Sequence, residues 1–310
     1  MNSDPMISVV MPVYNGEKFL KEAIKSILNQ TYKDFEFLIV YDESTDGTLS
    51  IIQEFQEKDA RVVLINGDKE GISGALNKGI IEAKGKYIAR MDADDISLPI
   101  RFEKQISHMQ SPGLDICGGH SLLIDSDGKI NGIGIMPRNH DLCGLSMMFM
   151  APFPHPGVMI RKGFLTDYSL EYGQSIYQTA EDFDMWVRMF SAGAKFGNVD
   201  DIVVRYRVLD NSLSIINTAE SRRDVRGLVK KFRADHQKYL SDVIKDIDIN
   251  LLSEAEKSLV ARYFINRAIT RFDIFGLRRL KNISLKNIVI TTLSEIQRLA
   301  TKYAWWSVAK

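Results

Sequence analysis

Between Ile7 and Met91 short apolar runs alternate with amphipathic stretches, and this alternation restricts the possible fold more than any other feature of the chain. Ile7–Met11 is a continuous apolar and β-branched run closed by Pro12, the pattern of a strand buried on both faces of a parallel sheet. Asn15-Gly16 breaks it, and from Glu17 onward Phe19, Leu20, Ala23, Ile24, Ile27 and Leu28 recur at helical spacing. Phe35–Val40 repeats the strand signal, and a polar loop leads into a helix carrying Leu49, Ile52 and Phe55. Val62–Ile65, a helix over Ser73–Ala83 and a strand over Tyr87–Met91 complete the series. Such βαβα alternation implies a doubly wound, mostly parallel α/β sheet with ligands at the carboxyl ends of the strands. Pro12–Gly16, Asp42–Gly47, Asn66–Gly71 and Asp92–Asp95 all fall at such ends.

The last of these loops carries unusual chemistry. An apolar strand stops abruptly in Asp92, Asp94 and Asp95, whose mutual repulsion costs free energy unless a cation or hydrogen-bond donors offset it. In an extended segment Asp92 and Asp94 point the same way, so they can share one divalent ion or one ribose–diphosphate. The alternative is a solvated turn leading into a helix, with Ser97 as N-cap and Pro99 in the first turn. Neither GxGxxG nor GxxxxGK[ST] occupies any of the loops, which disfavours a dinucleotide-binding domain or a phosphate-cradling P-loop. Oxygen ligands holding Mg2+ or Mn2+ provide another route to neutralising a diphosphate.

Charge and cysteine usage narrow the partners. Lys plus Arg equals Asp plus Glu, 40 against 40, so no global basic field exists of the kind that non-specific nucleic-acid binding requires. Cys117 and Cys143 form no CxxC and read as buried thiols of a reducing compartment. With no basic-then-apolar leader at the amino end and no long apolar run, the expectation is a soluble, cytosolic protein, with contact to a membrane surface left open.

Several motifs occur in one order: MPVYNGEKFLKEAIKSILNQTYKDFEFLIV, STDGT, GISGALNKGIIEAKGKYIARMDADD, PIRFEKQ, FPHPGVMIRK and AEDFDMWVRM. The series, covering roughly Ile7–Ser214, resembles the family 2 glycosyltransferases of the GT-A fold, the bacterial surface-polysaccharide type included. The resemblance implies inverting transfer from a nucleotide-diphosphate sugar, usually a UDP-sugar, to a hydroxyl of a glycan or lipid-linked glycan. It implies that Pro12 and Tyr14 line the nucleotide pocket, that Asp42 approaches uracil or ribose, that Asp92 meets ribose or metal, and that Asp94 coordinates the metal. Asn77 matches a position near the donor or packs a helix, and Gly79 permits close helix–sheet approach.

The second half supplies the base. Glu181 and Asp182 open a helix with apolar Phe183, Trp186, Val187 and Phe190, where acids either cap the helix or act on the acceptor. In the second reading Asp182 is the general base and Glu181 orients it or the acceptor. Asp115–Ile135 reads as strands around a turn at Asp125–Gly128, and Phe153–Pro156 as a rigid loop under the acceptor, with His155 either a catalytic or metal group or, the favoured reading, a structural hydrogen-bonding residue. Arg207, ending the following strand, either binds phosphate bidentately, the favoured reading, or pairs with an acid. Two positions depart from the family pattern: Tyr41 stands where an acid that helps read the base is usual, and Leu209 where many relatives place a histidine.

The organisation expected is a catalytic domain over residues 1–215, with a nucleotide half to about residue 98 and an acceptor half beyond it, then a helical extension over 216–310. In the extension Val225–Leu240, Leu251–Ile274 and Ile288–Trp305 have apolar residues at helical intervals. The last forty residues carry eight Lys/Arg against two acids and end in Tyr303, Trp305 and Trp306, which suits a peripheral membrane contact, a homodimer interface or packing on the catalytic domain. The rival functions are a sugar-nucleotide nucleotidyltransferase, disfavoured by the absence of a glycine-rich basic loop after the first strand, and a catalytically dead binding module.

Overall fold

A computed structural model describes residues 4–110, 113–209 and 218–271; the helical reading over 288–305 and its basic, aromatic end lie outside these residues. The first strands and helices follow the sequence pattern closely. They are β1 (Ile7–Val13), α1 (Glu17–Leu28), β2 (Phe35–Tyr41), α2 (Thr48–Lys58), β3 (Val62–Asn66), α3 (Gly71–Glu82) and β4 (Tyr87–Arg90). Next come β5 (Ile96–Ser97), α4 (Arg101–Gln110), β6 (Ile116–Ile124), β7 (Ile130–Gly134) and α5 (His140–Ser146). A 3-10 turn (His155–Gly157), β8 (Met159–Arg161), α6 (Lys162–Asp167), α7 (Glu181–Ser191) and β9 (Phe196–Arg207) complete the sheet.

The sheet has the strand order β3-β2-β1-β4-β8-β6-β9-β5, with β7 paired to β6. Its β3-β2-β1-β4 portion is parallel, while β8 runs antiparallel to both β4 and β6. β1 is buried almost throughout, and Leu20, Ala23, Ile24 and Ile27 of α1 are fully enclosed, as their helical spacing requires. β6 and β7 form the hairpin expected around Asp125–Gly128. Ser97, expected to cap a helix, instead lies in β5 and pairs with β9, and the helix begins only at Arg101. The two-residue strand wins because Pro99 removes a backbone donor while Gln30 and Ser26 satisfy Ser97 and Leu98 from α1 and its end.

Contacts divide the chain into one unit of residues 1–143 and 147–232 and a second that, in its described part, comprises 144–146 and 233–271. The first unit thus continues into α8 (Thr218–Asp235), where Leu228 and Phe232 are buried and Asp224 accepts hydrogen bonds from Thr179. In the second, α9 (Gln237–Asp246) buries Leu240, Val243 and Ile244, and α10 (Glu254–Arg271) opens on a reciprocal capping box between Ser253 and Glu256. Among the described residues no helix is long and apolar enough to cross a membrane.

α3 lies close on the sheet because it presents Gly79. A Cβ there would come within 2.4 Å of Val10 Cγ1 and 3.1 Å of Val40 Cγ2, both on buried strand residues. Gly79→Ala is therefore expected to destabilise the fold by about 1–2 kcal/mol despite alanine's higher helix propensity, because overpacking against the sheet outweighs it. Urea denaturation of the two proteins measures the difference.

Candidate active site

The loops after β1, β2 and β3 are stitched together by side chains. Asn15 adopts a left-handed conformation (φ 48°), which asparagine tolerates better than most residues. Its Oδ1 accepts from Thr45 N at 2.8 Å while its own N–H donates to Ser44 Oγ at 3.0 Å. Gly16 N and Glu17 N donate to Thr48 Oγ1 and Asp46 Oδ2, and Gly47 N donates back to Glu17 Oε2. The donors at the start of α1 are thus met from the next loop rather than by a local cap. Tyr41 directs its hydroxyl inward to accept from Ser44 N at 3.0 Å, so this departure from the family pattern braces the loop. Asp42 Oδ1 accepts from Lys69 N, and Gly67 packs so near that a Cβ would fall 1.9 Å from that oxygen. Asp42, half-buried Pro12 and Tyr14, 63% exposed, accordingly line the same end of the parallel strands.

Beside them β4 ends in a buried cation followed by acids. Arg90 is 3% exposed and its guanidinium pairs with the Asp92 carboxylate, while its Nε has no hydrogen-bond partner among the described residues. Ligand oxygens of Asp92, Asp94 and Asp95 lie within 4.8 Å of one another. Burial, with Asp92 adding repulsion, pushes the Asp94 carboxyl up to about 6. Burial, then Asp92 and Asp94, raises Asp95 well above the ordinary carboxylate range, although it accepts from Arg207 N. Its other oxygen, Oδ2, is buried without a hydrogen-bond partner among the described residues. An all-oxygen set with an orphaned buried oxygen and mutually repelling charges fits a hard divalent cation such as Mg2+ or Mn2+.

Arg207 does not take the phosphate-binding place favoured by the sequence reading. Its side chain is buried, stacks 4.2 Å over Phe19, and donates to Asp94 O, Asp125 O, Ser126 O and Glu22 Oε2. With its fork committed to three backbone carbonyls and to the Glu22 carboxylate, the acid pairing of the alternative reading, it ties down the backbone of the acidic loop. Arg101, fully buried, does the same from below, donating to Arg90 O at 2.8 Å and Val158 O at 3.0 Å.

The second acidic group opens α7. Glu181 and Asp182 are half-buried in its first turn, and Asp182 Oδ1 accepts from Phe183 N. Burial and the neighbouring Asp182 raise Glu181 to about 7; burial also raises Asp182, opposed by that hydrogen bond and by Arg90. Arg90 lowers and Asp92 raises the proton affinity of both, so the two acidic groups share one electrostatic field. His155 is half-buried, its proton affinity lowered by desolvation and by Arg90, with Nε2 3.2 Å from Tyr172 Oη and its ring edge-on to Trp186. Its contacts match the structural alternative. Asn77 likewise packs: its amide donates to Tyr172 O and accepts from Tyr172 N. Sequence reasoning missed Arg90, whose one signal is an arginine closing an otherwise apolar strand two residues before the first of the acids.

The sequence profile of Glycosyl transferase family 2 matches residues 8–165. An uncharacterised glycosyltransferase of Methanocaldococcus jannaschii is 36% identical over 220 residues, covering 68% of this chain and 74% of that protein. The O-antigen biosynthesis glycosyltransferase WbnJ of Escherichia coli is 32% identical over 210 residues, covering 67% of this chain and 81% of WbnJ. Among solved structures, S. aureus TarS in complex with UDP-GlcNAc aligns with a TM-score of 0.59 at 18% identity, over 92% of this chain and 79% of that one. The mannosyltransferase PcManGT from Pyrobaculum calidifontis, in complex with GDP-Man and Mn2+, aligns with a TM-score of 0.60 at 16% identity, over 99% and 84%.

Asp94 provides a test with a defined sign. Its folded pKa is raised, so metal-free stability is highest below the ordinary carboxylate value near 3.8 and declines as pH rises through about 6. Asp94→Asn removes that cost and is expected to stabilise the metal-free protein above pH 6 by up to about 2 kcal/mol, fading toward pH 4. Mn2+ is expected to raise the melting temperature of the wild type and not that of this variant. Thermal melts in chelator and in Mn2+ across pH 4–8 read both effects.

Proposed function

The chain belongs to glycosyltransferase family 2, and from that premise we propose that it is an inverting transferase moving a sugar from a nucleotide-diphosphate donor, a UDP-sugar first, to a hydroxyl of a surface glycan. The observation that carries the reading is the pair of acidic groups, Asp92–Asp95 and Glu181–Asp182, under the common field of Arg90. The donor classes are supported by what the structural relatives hold, UDP-GlcNAc in TarS and GDP-Man in PcManGT, and the acceptor class by WbnJ's role in O-antigen biosynthesis.

In this reading Pro12, Tyr14 and Asp42 receive the nucleoside, and Asp94 with Asp92 holds Mn2+ or Mg2+, Asp95 facing the same place. The cation, when bound, neutralises the departing diphosphate. Asp182 takes the acceptor's hydroxyl proton as that oxygen bonds to the anomeric carbon; the bond from that carbon to the diphosphate breaks on the opposite side, and the configuration inverts. Glu181 orients Asp182 or the acceptor. The raised proton affinity of Asp182, caused by burial, makes it a stronger base than a surface carboxylate. Sugars of the hexosyl and N-acetylhexosaminyl classes both fit this chemistry. A lipid-linked acceptor would be met at a membrane surface, a contact that the basic and aromatic composition of the last forty residues suits, as packing on the catalytic domain or a dimer interface also would.

Thermal shifts with UDP, GDP, CDP and dTDP, with and without Mn2+, test the donor site. Metal-dependent stabilisation by UDP that disappears in Asp94→Ala is the expected result, and stabilisation by none of the four sinks the reading. Asp182→Asn is expected to keep UDP binding and lose turnover by a hundredfold or more, on the order of what a general base contributes; retained turnover would remove Asp182 from that role. Asp182→Asn removes a negative neighbour of Glu181, so the Glu181 carboxyl should titrate at lower pH in that variant, as read by NMR. An unmoved titration would mean that the two carboxylates titrate independently.

A further inference from the structure

The segment that leads into Glu181 and Asp182 is held at both ends by side chains distant in sequence. At its start, Asn77 on α3 makes two hydrogen bonds to the backbone of Tyr172, Nδ2 to O at 3.0 Å and Oδ1 from N at 2.8 Å. The Tyr172 side chain is buried, and its hydroxyl lies 3.2 Å from His155 Nε2. His155 in turn sets its ring edge-on to Trp186, one turn beyond Asp182 on α7. At the far end, Asp224 of α8, 6% exposed, accepts from Thr179 N at 3.2 Å and Thr179 Oγ1 at 2.8 Å. Only Ala180 separates this second clamp from Glu181. Between the clamps the chain bends through Gly173 (φ 75°) and exposes Ile176 at 84%.

Gln174, Ser175 and Gln178 make hydrogen bonds within the stretch, and Arg188 of α7 donates to Glu171 O and Gln174 Oε1, but the backbone of Tyr172 and of Thr179 at its two ends is bonded by side chains from α3 and α8. Helix α7 has no side-chain cap at Ala180, so its first turn inherits its position from the segment before it. A two-point amide bracket on backbone N–H and C=O fixes both place and direction of Tyr172, which a single hydrogen bond does not. Asn77 stands on the helix that packs over β1 and β2, the strands that carry the nucleotide loops. The bracket therefore refers the position of the base to the donor half of the fold. Small displacements of a base matter because proton transfer needs hydrogen-bond distance to the acceptor oxygen.

We propose that Asn77 is a positioning residue for the acceptor step, holding the segment 172–180 so that Asp182 and Glu181 meet the acceptor hydroxyl. The proposal rests on the transferase reading above. Asp224 supplies the second clamp, and Tyr172 passes the restraint to His155 and α7.

The test uses the full chain with Asn77→Ala, which loses both hydrogen bonds, and Asn77→Asp, which keeps the acceptor half of the bracket. The acceptor kcat/KM is expected to fall at least tenfold in Asn77→Ala and by less in Asn77→Asp. UDP affinity in Mn2+ should stay within twofold, and the acid limb of the pH profile should shift in Asn77→Ala as the two carboxylates move apart or into water. Hydrogen exchange should accelerate over 172–183 and not over β1 or β2. A parallel loss of UDP binding, an unchanged pH profile with kcat/KM within twofold of wild type, or unchanged exchange over 172–183 would each overturn the proposal. Failure of the wild type to bind any nucleotide would instead strike the transferase reading, because the exchange measurement reports on the bracket without any substrate.

Discussion

A buried guanidinium at the end of the central parallel strands is the interaction on which the rest of the site depends. Arg90 pairs with Asp92 inside the fold and lowers the proton affinity of Asp94, Asp95, Glu181 and Asp182. Without that cation, five carboxylates drawn from two parts of the chain would face one another in a region where charge is poorly solvated. Even with it, burial leaves Asp94 and Asp95 with raised proton affinities, so the metal-free site retains a repulsion that a divalent cation would relieve.

Placing a charge there requires its surroundings to be satisfied, and buried polar side chains do this. Arg101 donates to the carbonyl of Arg90 itself, and Gln105, four residues on, donates to Cys117 O, Gly118 O and Gly157 O. Gln30 joins the end of α1 to Ser97 and Leu98, and Arg207 secures the backbone of Asp94. Each of these groups is costly to bury unpaired and inexpensive once its donors find carbonyls. Together they turn irregular backbone at the sheet's carboxyl edge into a fixed frame. The short β5, paired to β9, belongs to the same frame and ties the acidic loop across the antiparallel part of the sheet.

The two halves of the chemistry are connected through elements that are neighbours in space and strangers in sequence. Asn77 and Tyr172 are 95 residues apart, as Arg207 and Asp94 are 113, and both pairs join a side chain to backbone. Such contacts let the parallel β3-β2-β1-β4 part and the mixed remainder of the sheet share a geometry although each has its own local pattern. Membership of glycosyltransferase family 2 accords with this arrangement, since the family's reaction needs donor and acceptor groups held at one place.

Much of this was legible in the chain itself. Hydrophobic periodicity located the strands from β1 to β4 and the helices between them, because a strand buried on both faces and a helix buried on one have different repeats. The period-two acids Asp92 and Asp94 and the acid-led helix at Glu181 were visible as charges where burial was expected. Contact partners were not legible, since periodicity reports which face is buried and not what it meets. Arg207 illustrates the limit: a terminal arginine beside an acidic loop suits phosphate equally well until the carbonyls of Asp94, Asp125 and Ser126 are brought around it. Ser97 shows another, because a cap and a two-residue strand share one local sequence, and pairing with β9 decides between them. The sequence by itself determined the fold class and marked the two acidic groups as charges where burial was expected, through local pattern and composition. Only the tertiary structure decided which cation they face and which distant side chains hold them, because hydrogen bonds and electrostatic fields depend on proximity in space.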